Sequence, residues 1–526
     1  MDFLFIVLSC ALPLSLAICS VKIDAGIPVI PETVAGLNDV LGPIINLSYT
    51  DQALLRASDA LGIASLRHPG GAVANYWSIT NGSFVGADGT TAGCSNGTQW
   101  NFCKFAHRGD LPANAFTAKS YNQGIGAGLA TVWDLNVFTL SLDDQLGQLE
   151  YMFNTGLTVH KIELGNEFYL QQYAWRFPSV QDYLQAIRRV VPTARRLFPT
   201  AKIAVVGEKN TGGWNDALAS ALVLDSTLFD AITVHDYSPD NNTVDAYPLQ
   251  DQYSVVAGWG DASIAKIAQN VRASWPSGME VWRTEFNYPT WDSGRPLLPL
   301  VDGALHGIYW ASHVLASIQR ATWLVPFPVM YLHAFLIQNG TAWDTEAGIV
   351  QVAQTADNVA AVRVNGVAQI FAHMAHVGMQ HAQQHSLTVA TTCPTLNLTI
   401  DGIAGMSCLM GAVFSGTGST LHNTDPGSAT TPTTVVLLNK CNDDLTVELQ
   451  GILELKTTGD KTALDLANQT FETITYQASD VGGWTPLPTQ PTVLPWPHGP
   501  LSPIVNTMTG DALTLLPNSL MFATVN

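Results

Sequence analysis

The order of apolar and polar positions along the chain predicts eight strands separated by helices. Apolar runs typical of buried strands lie at 35–40, 64–67, 129–135, 162–168, 203–206, 231–235, 279–285 and 323–332. Helical patterns lie between them, at 51–61, 113–121, 141–154, 180–197, 214–222, 264–275 and 300–320. Eight strands alternating with helices over about 350 residues are typical of a (β/α)8 barrel, also called a TIM barrel. A doubly wound open sheet is the alternative, although no Gly-x-Gly-x-x-Gly or Walker-type loop follows any of these strands.

The pattern changes after a last helical segment at 367–379, which is expected to close the barrel. Short β-branched runs separated by Gly, Pro, Asn and Asp then follow, at 386–391, 396–400, 433–438, 445–449 and 520–524. This composition is typical of an antiparallel sandwich. We therefore predict a barrel over residues 20–380 and a β-sandwich over 381–526, with the first residues after the leader as a candidate extra strand of the sandwich.

The N-terminus predicts export. Residues 3–17 are apolar, too short for a usual membrane span, and interrupted by Pro13. They indicate a secretory signal peptide over residues 1–19, with a signal anchor as the alternative because Asp2 stands where a basic residue is usual. No other segment has the character of a membrane span, so no stable membrane association is expected. Asn-x-Ser/Thr triplets predict a secreted glycoprotein, and they begin at Asn46, Asn81, Asn96, Asn241, Asn339, Asn397 and Asn468.

Seven cysteines fit an oxidising compartment. Cys94 and Cys103 flank a short polar loop and are expected to pair, whereas the three cysteines of the C-terminal third leave one thiol over. Cleavage of the leader after Ala17 would keep Cys19, which could pair with that odd thiol. A zinc site is disfavoured because no Cys-x-x-Cys spacing occurs.

Composition narrows the classes of partner. The chain has 526 residues, 47% of them hydrophobic and 12% charged, with a formal net charge of −19. This charge argues against nucleic acid and anionic membrane surfaces, both of which attract basic patches. We expect a neutral or only locally charged substrate, and weak binding of heparin-like polymers with little dependence on salt.

Two glutamates end predicted strands. Glu167 lies at the end of the fourth strand and Glu285 at the end of the seventh. The carboxyl ends of barrel strands form the active-site face, so the two side chains are expected to face each other there. Glycoside hydrolysis needs such a pair: a protonated acid for the leaving oxygen, and a carboxylate that attacks the anomeric carbon or activates water. For direct attack we expect the carboxyl groups to lie roughly 5–5.5 Å apart.

These motifs resemble a known group of enzymes. Asn166-Glu167 on strand four, with Glu285 on strand seven, resembles the large clan of retaining glycoside hydrolases built on (β/α)8 barrels. Glu163-Leu-Gly-Asn-Glu167 is similar to the heparanase and β-glucuronidase family, whereas Leu66-Arg-His-Pro-Gly-Gly71 is more similar to α-L-arabinofuranosidases. The resemblance implies a retaining β-glycosidase without cofactor or metal, with Glu167 as acid/base and Glu285 as nucleophile. The alternative is a non-catalytic carbohydrate-binding barrel.

Other residues receive roles by position. Arg67 resembles the clan arginine that keeps the nucleophile ionised, since an adjacent cation lowers the pKa of a carboxylate. Asn166 is expected to donate a hydrogen bond to a sugar hydroxyl beside the anomeric carbon. His235 and Tyr237, after strand six, are candidates to orient Glu285.

Aromatic residues near strand ends are candidates to stack on sugar rings. They are Tyr76, Trp77, Trp133, Tyr169, Tyr288 and Trp291.

Two further patterns concern packing. Strict strand alternation places Arg283 on the same face as Glu285, so Arg283 is expected to point into the barrel and pair with Glu163 or Asp134. A group of histidines has the spacing of metal ligands on a helix, but no carboxylate accompanies it at a fixed offset, so we predict packing between the domains. The group comprises His373, His376, His381 and His385.

Overall fold

The fold is built around a closed barrel of eight parallel strands. The computed structural model describes residues 17–24, 26–39, 47–86, 113–288, 303–319, 326–338, 348–354, 360–381, 383–415, 433–450, 452–456, 461–465, 469–482, 485–487, 496, 499–509 and 512–525. Barrel strands one to eight are Gly36–Asn38, Ser65–His68, Ala130–Asp134, Lys161–Leu164, Lys202–Val206, Ala231–Asp236, Glu280–Phe286 and Val329–His333. Each strand pairs with the next, and strand eight pairs with strand one. The barrel prediction is therefore confirmed, and the open sheet is wrong.

Helices cover the outside of the barrel. The longer ones are Gln52–Leu61, Leu142–Asn154, Val180–Leu197, Gly213–Leu224, Leu249–Ser274, Ala304–Gln319 and Gly366–Gln380. Shorter helices are Pro31–Val34, Gly71–Ala74, Ala118–Gln123 and Asn241–Asp245, with 3-10 turns at Ala113–Phe116 and Gln171–Tyr173. The helix after strand six begins at Leu249, well before the predicted position 264. Most of this helix is buried, so it lacks the polar stripe by which helical periodicity is recognised.

Local sequence signals explain where individual helices begin and end. The helix Val180–Leu197 starts at a capping box, in which Ser179 and Asp182 each accept a hydrogen bond from the backbone of the other. The helix Gln52–Leu61 starts at Asp51, whose side chain accepts from the Ala53 N–H, and ends at Gly62 in the left-handed region.

The second domain is a largely antiparallel sheet. Its main strands are Gln383–Val389, Leu409–Ser415, Thr433–Asn439, Leu445–Gln450, Thr470–Gln477, Ile504–Thr509, Ala512–Leu515 and Ser519–Val525. The short strand Ile27–Pro28 pairs with this sheet. In the described part of the chain, three separate small sheets comprise Trp77–Ser78 with Ser83–Phe84, Ile452–Lys456 with Lys461–Asp465, and Leu336–Gln338, Val350–Gln354, Ala360–Val364 and Thr485–Pro486. The strand predicted at 396–400 is wrong, because that segment forms only isolated bridges.

The N-terminal segment joins the second domain. Strand Ala17–Ile23 pairs antiparallel with Gln383–Val389 and parallel with Leu445–Gln450. Disulfides join Cys19 to Cys393 and Cys408 to Cys441. A leader that ended at residue 19 would remove Cys19, whereas cleavage after Ala17 would keep this bond. The Cys94–Cys103 prediction and residues 1–16 lie outside the described residues.

Three of the four histidines, His373, His381 and His385, contact the second domain, whereas His376 lies beside Gly62 at the end of a barrel helix. The His373 ring stacks on Phe522 with centroids 3.8 Å apart, and its Nδ1 lies 3.2 Å from the Tyr476 hydroxyl. Burial, helped by the neighbouring His376, lowers the pKa of His373 to about 3, so the ring is neutral. These contacts support the predicted packing role. Among the described helices, none is long and apolar enough to cross a membrane.

Arg283 does not occupy its predicted place. The register of strand seven shifts between Arg283 and Phe286, so strict alternation fails there. Arg283 points outward, where Nη2 donates to Asp236 at 2.7 Å and Nη1 donates to His313 Nδ1 at 2.5 Å. A partner carboxylate is present as expected, but it is Asp236 from strand six rather than Glu163 or Asp134.

Substitution of Asp236 tests the ion pair that Arg283 forms outside the barrel. Asp236 also accepts from Lys209 at 2.7 Å and from two serine hydroxyls. Replacing Asp236 with Asn would leave two cations near one neutral group, so we expect a loss of about 3–5 kcal/mol in the free energy of unfolding, measured by denaturant titration. The matched control Glu280→Gln breaks the more exposed Lys202–Glu280 pair and should cost less than about 1 kcal/mol. Equal effects of the two substitutions would contradict this assignment.

Candidate active site

A buried guanidinium at the end of barrel strand two connects the groups at the mouth. Arg67 Nε and Nη2 donate to the two carboxylate oxygens of Glu163, at 2.7 and 2.8 Å. Nη1 donates to Glu285 Oε1 at 2.5 Å, and Nη2 donates to Asn166 Oδ1 at 2.8 Å. Nη2 also lies 2.9 Å from Asp134 Oδ2. One side chain thus holds groups from strands three, four and seven in a single cluster.

The cluster contains three carboxylates around one cation. Burial raises the pKa of Asp134 well above its ordinary value. The charge of Arg67 opposes this rise, whereas the charges of Glu163 and Glu285 add to it. Burial and the neighbouring carboxylates therefore favour the protonated form of Asp134, in which the excess of negative charge around Arg67 is smaller.

Glu285 is held as a carboxylate. Its Oε1 accepts from Arg67, and its Oε2 accepts from the Tyr237 hydroxyl at 2.5 Å. Burial alone would raise the pKa of Glu285, but the charges of His235, His333 and Arg67 and the Tyr237 hydrogen bond lower it to about 2. Arg67 and Tyr237 therefore both contact Glu285, and the roles expected for them stay predictions.

A turn after strand four, rather than the strand itself, places Glu167 at the mouth of the barrel. Strand four ends at Leu164, and Glu167 lies in the turn that follows. Gly165 and Glu167 both adopt left-handed backbone conformations, with φ of 87° and 54°. Such a conformation is uncommon for a residue other than glycine, and strained residues of this kind cluster at functional sites. A Cβ at Gly165 would lie 2.2 Å from the Phe168 ring, so the turn requires glycine there.

Asn166 is fixed by two neighbours. The Asn75 side chain donates to the Asn166 carbonyl at 2.9 Å and accepts from its N–H at 3.0 Å. Arg67 occupies Oδ1, which sets the orientation of the side-chain amide. Nδ2 is buried and has no hydrogen-bond partner in the described structure. Because an unpaired buried donor is costly, this NH2 group is suited to bind a substrate oxygen.

His235 bonds to Glu167 rather than to Glu285. Its Nδ1 lies 2.8 Å from Glu167 Oε1 and 3.6 Å from Glu285 Oε2. Its Nε2 lies 3.1 Å from the Thr284 hydroxyl, which donates to Glu163 at 3.1 Å. Since Thr284 gives its proton to Glu163, it accepts from His235 Nε2–H, and Nδ1 is left to share a proton with Glu167. Burial lowers the pKa of His235, but the Glu285 charge and the Glu167 hydrogen bond raise it above its ordinary value.

The two glutamates and His235 form a compact group. One side-chain ligand atom of each lies within 4.8 Å of the others. Such a set could hold a metal ion by spacing alone. Both oxygens of Glu285 already accept from Arg67 and Tyr237, however, and the guanidinium supplies a positive charge directly to this carboxylate. Arg67 and Tyr237 therefore take the place that a metal ion would have at the Glu285 carboxylate.

Two predicted aromatic contacts are corrected. Trp133 alternates with the inward-facing Asp134, so it points to the helix layer, where it packs on Tyr121 and is 1% exposed. Tyr288 is also 1% exposed and packs against Tyr309. Neither ring offers an open face to the mouth. Tyr76 and Trp77 are buried as well, and Trp291 lies outside the described residues.

The sequence interpretation missed two residues of the site. His333 ends strand eight, and its Nδ1 accepts from the side chain of Asn38, which ends strand one, at 2.9 Å. His333 Nδ1 lies 3.7 Å from Glu285 Oε2. Burial lowers the pKa of His333, although the Glu285 charge opposes this. Both are polar residues that end apolar strands, which is the signal that identified Glu285.

Comparisons with known proteins identify the fold. No protein-family model and no curated protein matches the sequence. The structure is similar to an α-L-arabinofuranosidase from Thermotoga maritima, with 14% identity, 97% of this chain and 99% of that chain covered, and a TM-score of 0.63. A family 51 α-L-arabinofuranosidase from Bifidobacterium longum has 12% identity, coverage of 97% and 99%, and a TM-score of 0.61. A family 44 xyloglucanase from Paenibacillus polymyxa has 11% identity, coverage of 97% and 100%, and a TM-score of 0.52.

At such identities the likeness shows the fold alone. The chain shares the barrel and the β domain of these structures. The fold that the clan-level resemblance implies is thus supported, whereas these neighbours do not support the closer resemblance to heparanases and β-glucuronidases.

The protonation of Asp134 can be tested by substitution. Asp134→Asn replaces a neutral carboxyl with a neutral amide and should change the free energy of unfolding by less than about 1 kcal/mol at neutral pH, whereas Glu163→Gln, which removes a bidentate partner of Arg67, should cost about 3 kcal/mol or more. Because folding raises the pKa of Asp134, its contribution to stability is full below its ordinary pKa and declines as the pH rises. The free energy of unfolding of Asp134→Asn should therefore rise relative to that of the wild type at alkaline pH. Denaturant titrations over a pH series measure this difference. If Asp134→Asn lost as much free energy of unfolding at neutral pH as Glu163→Gln, Asp134 would be ionised and the assignment wrong.

Proposed function

We propose that the protein is a retaining glycoside hydrolase, with Glu167 as acid/base and Glu285 as nucleophile. The observation that carries this proposal is the pairing of an ionised Glu285 with Glu167, whose carboxylate oxygens approach within 4.8 Å at the mouth of the barrel. Retaining enzymes place the two carboxyl groups about 5–5.5 Å apart, whereas inverting enzymes need roughly 6.5–9.5 Å to admit a water molecule. The 4.8 Å limit applies to one oxygen of each glutamate rather than to the distance between the carboxyl groups. This close approach of the two oxygens supports direct attack by Glu285.

In this proposal each residue of the site has a part, which its contacts support. Glu285 attacks the anomeric carbon while Glu167 gives its proton to the leaving oxygen, which forms a covalent glycosyl-enzyme. Glu167 then removes a proton from water, and this water releases the sugar. Arg67 and Tyr237 keep Glu285 ionised and oriented before attack. Asn166 offers its free NH2 group to the hydroxyl beside the anomeric carbon.

We propose a neutral sugar as the substrate. A β-glucuronidase-like specificity, which the Glu163–Glu167 motif suggests, calls for a positive group to bind the sugar carboxylate. In the described part of the mouth, Arg67 is already bound by Glu163, Glu285 and Asp134. The net charge of −19 disfavours polyanions in addition. The named neighbours, arabinofuranosidases and a xyloglucanase, fit a neutral carbohydrate.

We also propose that the protein is a secreted glycoprotein. Two disulfides in the described residues fit an oxidising compartment. Asn81 and Asn397, which begin Asn-x-Ser/Thr triplets, are exposed. The signal peptide and the attachment of glycans stay predictions.

Leaving-group dependence tests the two roles. Glu167→Ala should slow glycosides with poor leaving groups by roughly 10²–10⁴-fold, and activated aryl glycosides much less, because an activated phenol needs little protonation. Glu285→Ala should abolish turnover of every substrate, because no covalent intermediate forms. The measurement is kcat/KM for a series of aryl glycosides of neutral sugars, with the exposed Glu150→Ala as a matched control.

Other results would redirect the proposal. Full activity in both glutamate variants would refute the site. Binding of oligosaccharides by the wild type, without hydrolysis of any glycoside in a broad screen, would favour the non-catalytic carbohydrate-binding barrel.

A further inference from the structure

The loop after the proposed acid/base carries a large aromatic ring that is not buried. Trp175 follows the 3-10 turn Gln171–Tyr173 and is 50% exposed. Phe138, which contacts the indole, and Phe168 and Tyr173, which pack on Phe138, are each no more than 1% exposed. Tryptophan is highly buried on average, so a half-exposed indole held on a buried aromatic layer offers a large apolar face for contact.

This layer holds the Trp175 ring in place. The indole packs edge-on against Phe138 at 4.7 Å, and Phe138 stacks on Phe168 at 5.4 Å. Tyr173 packs edge-on against both phenylalanines. Phe168 directly follows Glu167 in the chain, so the exposed indole is joined to the proposed acid/base through two packed rings. A ring that is already ordered loses little conformational freedom when it binds a ligand.

The topology indicates which part of the substrate Trp175 meets. The loops that carry Trp175 and Phe138 follow strands four and three, so both lie on the face that carries Glu167 and Glu285. In a barrel whose eight strands are paired in chain order, strand three lies opposite strand seven, which ends in the proposed nucleophile. Trp175 therefore lies on the side of Glu167 away from the strand of Glu285. The acid protonates the leaving oxygen, so the leaving group lies on that side.

We propose that Trp175 is the stacking platform for the first sugar of the leaving group. The inference rests on the proposed function and adds a substrate class to it. The indole face offers apolar area to the C–H face of a sugar ring, which is how aromatic side chains bind carbohydrates. The substrate is then an oligosaccharide or polysaccharide with a sugar on each side of the cleaved bond, rather than a glycoside with a small leaving group.

The experiment compares two substrates with the same cleaved sugar. One is a glycosyl fluoride, which has no ring on the leaving-group side, and the other is a neutral oligosaccharide. Trp175→Ala should lower kcat/KM for the oligosaccharide about tenfold or more and leave hydrolysis of the fluoride within about twofold. Trp175→Tyr should restore part of the loss, since tyrosine also presents an aromatic face. Thermal unfolding of each variant verifies that the fold is intact.

Phe153→Ala is the matched control. Phe153 is 53% exposed and lies at the carboxyl end of the helix Leu142–Asn154. This helix runs back to the start of strand four, so its carboxyl end lies at the opposite face of the barrel. The control should leave kcat/KM for both substrates unchanged.

Each result decides the proposal. Unchanged hydrolysis of the oligosaccharide by Trp175→Ala overturns the inference and leaves the proposed function standing. Equal losses on both substrates show a structural role for Trp175 and overturn it as well. Hydrolysis of neither substrate by the wild type, in a screen of neutral sugars, contradicts the proposed function and this inference with it.

Discussion

The guanidinium of Arg67 is the interaction on which the mouth of the barrel depends. It is fully buried and contacts side chains from strands three, four and seven. A buried cation is tolerated only when nearby groups compensate its charge, and removal of one partner leaves the others uncompensated. The same cation helps to keep Glu285 ionised and fixes the amide of Asn166. The contacts that compensate the buried charge of Arg67 are therefore the same contacts that ionise Glu285 and orient Asn166.

Much of this organisation could be predicted from the sequence, because the periodicity of apolar residues is a local signal. The barrel strands and the glutamate at the end of strand seven follow from apolar runs that end in polar residues. Errors arise where the backbone departs from regular strand geometry. Arg283 alternates with the inward-facing Thr284 and points outward, and the register shift after Arg283 brings Glu285 to the mouth. A left-handed turn rather than strand alternation brings Glu167 there. The exposure of Trp175 depends on packing between two loops and leaves no pattern in the sequence.

The structural neighbours and the site support different parts of the account. A likeness at 14% identity shows the barrel and its β domain. Folds of this kind carry many activities, so the function must be argued from the residues at the mouth. Here the hydrogen bonds separate the two glutamates: Arg67 and Tyr237 bind Glu285, whereas His235 binds Glu167. This asymmetry is what a nucleophile and an acid/base require.

The most direct measurement of the central claim is the position of a covalent adduct. The wild-type protein is incubated with an activated 2-fluoro glycoside of a neutral sugar that it hydrolyses, and the digested product is analysed by mass spectrometry. The account predicts one sugar bound to the peptide that contains Glu285. The fluorine slows both attack and hydrolysis, whereas the activated leaving group speeds only the attack, so the covalent intermediate accumulates. An adduct on Glu167, or turnover of the normal substrate with inversion at the anomeric carbon, would contradict it.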